Sequence, residues 1–252
     1  MIDTSRLLAA FGEADITPSL GTNLAGWIVP LRPAQVVRDP IQAHIGVLQR
    51  GADSVAVIGL DILSISIADA RDLRERVSRV SGVRAANVLV AASHSHTGPA
   101  VADLPITPSD RGYVEQMKAK IAGKAAELAG HLVPASIGHA CGFEGKLSFN
   151  RRYIRQDGIV RTHPTPADPQ MVCAEGPIDP QLGVLCVRNE HGAALGYLVN
   201  FACHPCFLGG LTIVSANYPG SMSRALKALE GPDCVTVFLN GACGDIHHAN
   251  PV

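Results

Sequence analysis

The segment Val88-Leu89-Val90-Ala91-Ala92-Ser93-His94-Ser95-His96-Thr97-Gly98-Pro99 joins an apolar run to two closely spaced histidines. The run over residues 88–92 predicts a buried β-strand, and Gly98-Pro99 predicts a turn after it. If the extended backbone continues past the strand, His94 and His96 project to the same side, because side chains alternate along a strand. Two neighbouring imidazoles can hold a transition metal, or one can bind the metal while the other contacts a substrate. A pair that only forms hydrogen bonds within a loop is the alternative.

Two further apolar runs end in histidine-bearing turns. Residues 195–202 lead directly into Cys203-His204-Pro205-Cys206, and residues 235–239 lead into a Gly-rich segment that contains His247 and His248. The ends of strands in α/β proteins are where ligands and catalytic groups gather. Three strands that each end in this way predict one shared site.

Strand and helix patterns are interspersed along the chain, which indicates an α/β class. Several strand-like runs are continuous in Val, Ile, Leu and Ala, as is typical of strands covered on both faces. The strand-like runs cover residues 7–16, 41–48, 54–63, 86–92, 135–140, 183–187, 195–202 and 234–239, and the helical patterns cover residues 67–80, 113–132 and 218–229. Residues 19–40 and 142–180 lack such periodicity. The second of these stretches is rich in proline and predicts a long surface excursion, a kind of segment that is often functional.

The bulk composition restricts the class of protein. The chain has 252 residues, of which 47% are hydrophobic, so a sizeable core can be buried. Its net charge of −1 argues against a nucleic-acid partner. No run is long and apolar enough to cross a bilayer, and the first 18 residues lack the pattern of a signal peptide. With Met1 as the start, we expect a cytoplasmic protein. The seven cysteines are an odd number and are scattered, which predicts reduced thiols.

Two local motifs allow more than one interpretation. Cys203 and Cys206 form a C-x-x-C pair, which is a redox motif when it opens a helix. Gly209-Gly210 follow it instead of a helical pattern, so we interpret the pair as buried thiols beside His204. Arg151, within Asn150-Arg151-Arg152-Tyr153, could hold a substrate carbonyl or carboxylate by paired hydrogen bonds if it lies over a metal site. A solvated surface pair of arginines is the alternative.

Together these motifs resemble those of the neutral/alkaline, non-lysosomal ceramidases. Residues 93–99 resemble that family's S/T-H-S/T-H-S/T-G-P segment, and Asn200-Phe201-Ala202-Cys203-His204-Pro205 is similar to its N-W/F-x-x-H-P/G/A segment. Ser215-Ala216-Asn217-Tyr218-Pro219-Gly220 resembles S-x-D-Y-P-G. Asn150-Arg151 resembles the N-R dipeptide, and residues 240–251 resemble the N-x-G-D-V-S-P-N region through Gly244-Asp245. The matches occur in the family's order, from about Asp61 to the last residue.

The resemblance implies a zinc-dependent amidase with a mixed β-sheet core flanked by α-helices. It implies that residues 1–252 form a single domain, similar to the N-terminal part of the ceramidase catalytic domain. It further implies that His94 and His204 bind Zn²⁺, and that His96 and Arg151 face the substrate and stabilise the oxyanion. The implied reaction is attack of a zinc-activated water on the carbonyl of a small-molecule amide, lipid-like amides included.

The chain departs from the family pattern at three points. The family completes its zinc shell with a glutamate and a tyrosine farther downstream than Val252, so Asp245, His247 and His248 are the local candidates. His247 stands where the family has the serine tied to ceramide hydrolysis, which predicts an amide other than ceramide. Asn217 stands where the family has an aspartate. Two other hypotheses remain at this stage: a non-catalytic metal-binding or structural module with an incomplete zinc shell, and a thiol-redox protein built on Cys203 and Cys206.

Overall fold

The computed structural model describes residues 6–27, 31–105 and 107–250. Residues 1–5, residues 28–30 of the irregular stretch and Pro251 of the last motif lie outside these ranges. The helices are α1 (Ile67–Ser81), α2 (Arg111–Ala129) and α3 (Asn217–Glu230), with a short 3₁₀ turn at Ala85–Asn87. The strands are β1 (Leu7–Asp15), β2 (Val36–Val37), β3 (Gln42–Arg50), β4 (Asp53–Leu60), β5 (Val88–Ala92), β6 (Val133–Phe143), β7 (Phe149–Asn150), β8 (Arg152–Arg155), β9 (Val160–Thr162), β10 (Met171–Ala174), β11 (Gln181–Asn189), β12 (Ala194–Phe201), β13 (Ile213–Val214), β14 (Val235–Asn240) and β15 (Ile246–His247).

Eight of the strands form one mixed sheet, in the order β14-β12-β11-β6-β1-β3-β4-β5. The outer pairs β12–β14 and β4–β5 are parallel, and the neighbours between them are antiparallel. Each of the eight strand-like runs in the sequence coincides with one strand of this sheet, and the three helical patterns coincide with α1, α2 and α3. The predicted fold class is therefore confirmed.

The helix ends follow from local side-chain chemistry. Ser66 accepts a hydrogen bond from the amide of Asp69 at 3.0 Å, which caps the first turn of α1. Gly82 ends that helix in the left-handed conformation, with φ of 76°. Asp110 caps α2 in the same way as Ser66, through the amide of Tyr113. None of the helices among the described residues is long and apolar enough to cross a membrane.

The main core lies between α1, α2 and the β1-β3-β4-β5 part of the sheet. A smaller cluster packs α3 against β12 and β14. β3 is mostly buried, as expected of an apolar strand that is covered on both faces, whereas β6 is largely exposed. Ile137 and Phe143 on β6 are exposed, because the helices pack against other strands of the sheet. An apolar run does not by itself show whether one or both faces are covered.

The sheet curls so that β14 also approaches β3, β4 and β5. The side chain of Val237 on β14 packs at the position of Gly59 on β4, where a Cβ atom would come within 3.0 Å of it. At the end of β14, the side-chain amide of Asn240 donates a hydrogen bond to the carbonyl of Ser93, just after β5, at 2.9 Å. The carboxyl ends of β5, β12 and β14 therefore meet on one side of the molecule.

The long excursion over residues 142–180 has more regular structure than the sequence predicts. It contains the three-stranded antiparallel sheet β10-β8-β9, and its strand β7 pairs with β15. Asn150 faces Ile246 in this second pairing, and its side-chain amide donates to Asp245 Oδ2 at 3.1 Å. These contacts bring Arg151 beside the residues that follow β14.

A buried ionic network joins β1, β3 and the residue that follows β4. His44 on β3 is 5% exposed and contacts two carboxylates: Glu13 through Nδ1 at 3.0 Å and Asp61 through Nε2 at 3.2 Å. Burial by itself lowers the pKa of His44, but the carboxylates of Asp61 and Glu13 outweigh it and raise the pKa to about 9. Both ring nitrogens therefore donate, and the imidazolium is the stable form at neutral pH.

This raised pKa predicts a loss of stability at alkaline pH. A group whose pKa is higher in the folded state stabilises the fold fully below its ordinary pKa of 6.5, and that contribution disappears as the pH rises through about 9. The shift corresponds to about 3 kcal/mol. We expect the free energy of unfolding in urea to fall between pH 6.5 and 9. Thiols that unfolding exposes also ionise at the alkaline end, so the difference between wild type and His44→Leu isolates the contribution of His44. An equal pH dependence in both proteins would contradict it.

Candidate metal centre

Three histidines converge where β5 and β12 end. His94 and His96 follow β5, and His204 follows β12. Their ring centroids are 4.7 to 5.0 Å apart, and one ligand atom from each lies within 4.8 Å of the others. The structure thus brings together the three imidazoles that the sequence singled out at these two strand ends.

The backbone of this loop has a conformation that the sequence does not predict. His94 has φ of 71°, in the left-handed region that non-glycine residues seldom adopt. The extended backbone therefore does not continue to His96, although both imidazoles still reach the same cluster. The amides of His94 and Ser95 instead both donate to the carbonyl of Ile62, at 3.0 and 3.2 Å, which folds the chain tightly over the end of β4. A conformation of this kind costs about 1–3 kcal/mol and is typical of functional sites.

The residues between and after the two histidines anchor their loop to the start of α3. The hydroxyls of Ser95 and Thr97 are fully buried and donate to the carbonyl of Ser215, at 3.0 and 2.8 Å. The side-chain amide of Asn217 donates to the same two hydroxyls, at 2.9 and 2.6 Å. Every polar group of this network has a partner, so the first turn of α3 fixes the loop. Asn217, which stands in place of the family's aspartate, acts here as a buried donor.

The hydrogen bonds of the imidazoles leave their Nε2 atoms suited to bind a metal. His94 Nδ1 donates to the carbonyl of Leu63 and His204 Nδ1 donates to the carbonyl of Cys243, both at 3.0 Å. Because a carbonyl can only accept, the neutral rings carry their proton on Nδ1 and have a free lone pair on Nε2. His204 Nε2 lies 2.8 Å from His96 Nε2. Backbone carbonyls that fix the outer ring nitrogen are the usual second partners of metal-binding histidines. The donor set therefore fits a zinc ion.

The electrostatic environment keeps these rings neutral. Burial lowers the pKa of His94, and burial together with the neighbouring histidines lowers the pKa of His96 to about 3. Burial also lowers the pKa of His204 to about 4, with His94 and Arg151 as further causes. A neutral imidazole is the form that binds metal ions.

Arg151 lies in the wall of the same cavity, which has a volume of about 600 Å³. Its Nη1 donates to His163 Nε2 at 3.2 Å, and its Nη2 donates to the carbonyl of Gly244 at 2.5 Å. The Nε atom is buried and has no hydrogen-bond partner among the described residues. Arg151 is therefore held at the cavity from two sides, by His163 within the excursion and by Gly244 in the segment after β14.

Three residues of the cavity wall were missed from the sequence: Gly26, Trp27 and His163. Gly26 has φ of 105°, and a Cβ atom there would come within 2.7 Å of the His96 ring. Gly26 and Trp27 come from the irregular stretch 19–40, whose path depends on distant contacts. His163 carried a usable signal, because it precedes a proline in a turn, as His204 does.

A second group of possible ligands lies beside the first. One ligand atom each from Cys206, His247 and His248 lie within 4.8 Å of one another. Cys206 sits in a turn that ends at Gly209, not at the start of a helix. Burial raises the pKa of the Cys203 thiol to about 12 and that of the Cys206 thiol to about 11. These directions argue against the redox hypothesis, which requires a thiol with a depressed pKa.

Comparison with known proteins shows the fold. No protein-family model matches the chain, and no curated protein sequence does. Two solved structures are similar. Neutral ceramidase from Pseudomonas aeruginosa aligns with a TM-score of 0.79 and 19% identity, over 96% of this chain and 39% of that chain. A ceramidase complexed with C2 aligns with a TM-score of 0.80 and 19% identity, over the same shares of the two chains. The chain thus spans about two fifths of the length of these structures and shares its α/β fold with the part of neutral ceramidase that it covers.

Proposed function

We propose that this protein is a zinc-dependent hydrolase that cleaves amide bonds of N-acyl compounds, with His94 and His204 as metal ligands. One observation carries the proposal. Imidazoles at two strand ends converge in one cavity, with the Nδ1 atoms of His94 and His204 fixed by backbone carbonyls. The fold shared with neutral ceramidase supports the reaction class.

His94 and His204 would hold a zinc ion, which would supply an activated water at neutral pH and polarise the substrate carbonyl. The protein contributes the remaining groups. Arg151 lines the cavity, and its bonds from Nη1 to His163 and from Nη2 to Gly244 leave a second N–H on each of these atoms. A donor fixed in this way can stabilise negative charge that develops on the carbonyl oxygen, at no cost of reorientation. We assign the same role to His96, which lines the cavity beside Gly26.

The direct test is hydrolysis of a panel of N-acyl amides by zinc-loaded protein. The panel varies the acyl chain from short to long and the amine from polar to lipid-like, and ceramide is one member. We expect release of the amine from at least one member, abolished by removal of zinc and restored by its addition. The replacement of the family's serine by His247 favours a substrate other than ceramide.

The second candidate function is a non-catalytic metal-binding module. The observation that favours it is the small number of imidazoles in the first cluster. A catalytic zinc usually has three protein ligands. The cluster provides three only if His96 binds the metal, and His96 is then not free to contact a substrate. In this case the zinc-loaded protein turns over no member of the panel.

Removal of either proposed donor should reduce turnover without removing the metal. We expect Arg151→Ala and His96→Gln each to lower kcat by roughly 100- to 1,000-fold, the typical cost of losing one oxyanion donor. Zinc content should stay at the wild-type level in both variants. Arg151→Lys serves as the control for charge, since lysine keeps the charge but lacks the planar fork of donors. Loss of zinc from His96→Gln would move His96 into the metal shell, and unchanged kcat in Arg151→Ala would remove Arg151 from the mechanism.

A further inference from the structure

We propose that Cys206, His247 and His248 form a second metal site, which binds Zn²⁺ separately from His94 and His204. Cys206 Sγ lies 3.7 Å from His248 Nδ1, and the three ligand atoms are within 4.8 Å of one another. One thiol and two imidazoles are a donor set that zinc binds readily. The cluster contains no carboxylate, so it is a poor match for Mg²⁺ or Ca²⁺, which prefer oxygen ligands.

Aromatic packing holds the imidazoles of this cluster. The His248 ring stacks on Phe207 with centroids 3.8 Å apart and on His247 with centroids 4.1 Å apart. Phe207 in turn contacts Tyr218 on α3, edge to face at 5.9 Å. This stack limits rotation of His248 and keeps its Nδ1 atom directed at the thiol. Zinc sites depend on such orientation of their ligands by surrounding groups.

The backbone brings the ligands from two separate segments. Cys206 lies in a turn in which its amide donates to the carbonyl of His204 and its carbonyl accepts from Gly209, both at 2.9 Å. His247 belongs to β15, whose neighbouring residue Ile246 is 2% exposed and paired with β7. Each segment is therefore positioned by backbone hydrogen bonds and packing, and not by the imidazoles of the first cluster.

One contact of His247 has to change when a metal binds. The Ala249 amide donates to His247 Nδ1 at 3.0 Å, so the neutral ring carries its proton on Nε2. Ala249 is exposed, and its amide can donate to water after His247 presents a lone pair to the metal. The exchange of one exposed hydrogen bond for another is a small cost, because such bonds contribute only about 0.5–1.5 kcal/mol net.

The position of the cluster links it to the proposed reaction. Cys206 and His247 line the same 600 Å³ cavity as His94, His96 and His204. Three protein ligands leave one position of a four-coordinate zinc free for water or substrate. The second metal would therefore sit in the wall of the substrate cavity and not in a closed structural site.

Cobalt spectroscopy on the reduced, metal-free full chain tests this site directly. A Co²⁺ ion bound by a thiolate gives a charge-transfer band in the near ultraviolet, which imidazole ligands do not give. We expect this band in the wild type and its loss in Cys206→Ser, with zinc content falling by one ion per chain. Cys141→Ser, which alters an exposed thiol on β6, is the matched control and should keep both the band and the zinc.

The first site is removed separately with His94→Ala. We expect this variant to keep the charge-transfer band, because His94 belongs to a different loop. A band that persists in Cys206→Ser, or that is absent from the wild type, would overturn the second site. Loss of the band in His94→Ala would also overturn it, because Cys206 would then be a ligand of the first metal. Failure to hydrolyse any amide leaves the band unchanged, so the two proposals fail in different ways.

Discussion

Replacement of His94 by alanine is expected to lower zinc affinity by well over 100-fold and to reduce amide hydrolysis to background. Even the loss of an outer partner of a metal ligand typically costs about 10- to 100-fold in affinity or activity, and His94 is proposed as a direct ligand. Its Nε2 atom has a free lone pair because Leu63 holds Nδ1. The measurement is competitive zinc titration against a chromophoric chelator, together with the rate of amine release at saturating zinc.

Two controls separate the loss of the imidazole from other effects. His139→Ala removes an exposed histidine on β6 and should change neither zinc affinity nor turnover. His94→Gly removes the same imidazole but adopts the left-handed backbone without strain. If zinc binding fails equally in His94→Ala and His94→Gly, the imidazole is responsible. Normal zinc affinity in His94→Gly would instead assign the effect in His94→Ala to the loop conformation.

Replacement of His44 by leucine is expected to lower the free energy of unfolding by about 3–5 kcal/mol at pH 7, the usual cost of removing one partner from a buried ion pair. The variant leaves the Asp61 carboxylate, which is 2% exposed, without its imidazolium partner. Among the described residues, the backbone amide of Gln42 remains as a hydrogen-bond donor to it. Asp61 directly precedes Ile62 and Leu63, whose carbonyls hold the His94 loop. The strained loop should therefore loosen when this network is broken. Urea unfolding measures the loss.

A double variant shows whether the unpaired charge is the cause. Asp61→Asn removes the carboxylate, so His44→Leu combined with Asp61→Asn should recover much of the stability lost in His44→Leu alone. Replacement of a whole buried pair by neutral groups is often close to neutral in stability, and residues in contact show such non-additive behaviour. A loss below about 1 kcal/mol in His44→Leu, or strict additivity of the two changes, would contradict an ionic role for this pair.

The sequence was sufficient to predict the strands of the main sheet and the three strand ends, those of β5, β12 and β14, that meet at the site. Period and composition are local properties, and the eight apolar runs each became a strand of the main sheet. His94 and His204 were found because each follows such a run and precedes a proline-containing turn. Both signals can be read within about ten residues.

Features that depend on distant contacts could not be predicted in this way. The left-handed backbone of His94 exists because Ile62, far away in the chain, accepts two hydrogen bonds from the loop. The exposure of β6 depends on where the helices pack. Cys206 and His248 are 42 positions apart, and the pairing of β12 with β14 brings the segments that follow these strands together. In each case the deciding interaction joins segments whose relation is set by the whole fold.

Elemental analysis of zinc in wild type and in the double variant His94→Ala/His204→Ala tests the central claim most directly. Both proteins are purified without chelator, under reducing conditions, and are checked for folding by circular dichroism. If these two histidines hold a metal, the folded double variant contains one zinc ion fewer per chain than the wild type. Equal zinc content in the two proteins would show that the histidines at the strand ends do not hold the metal.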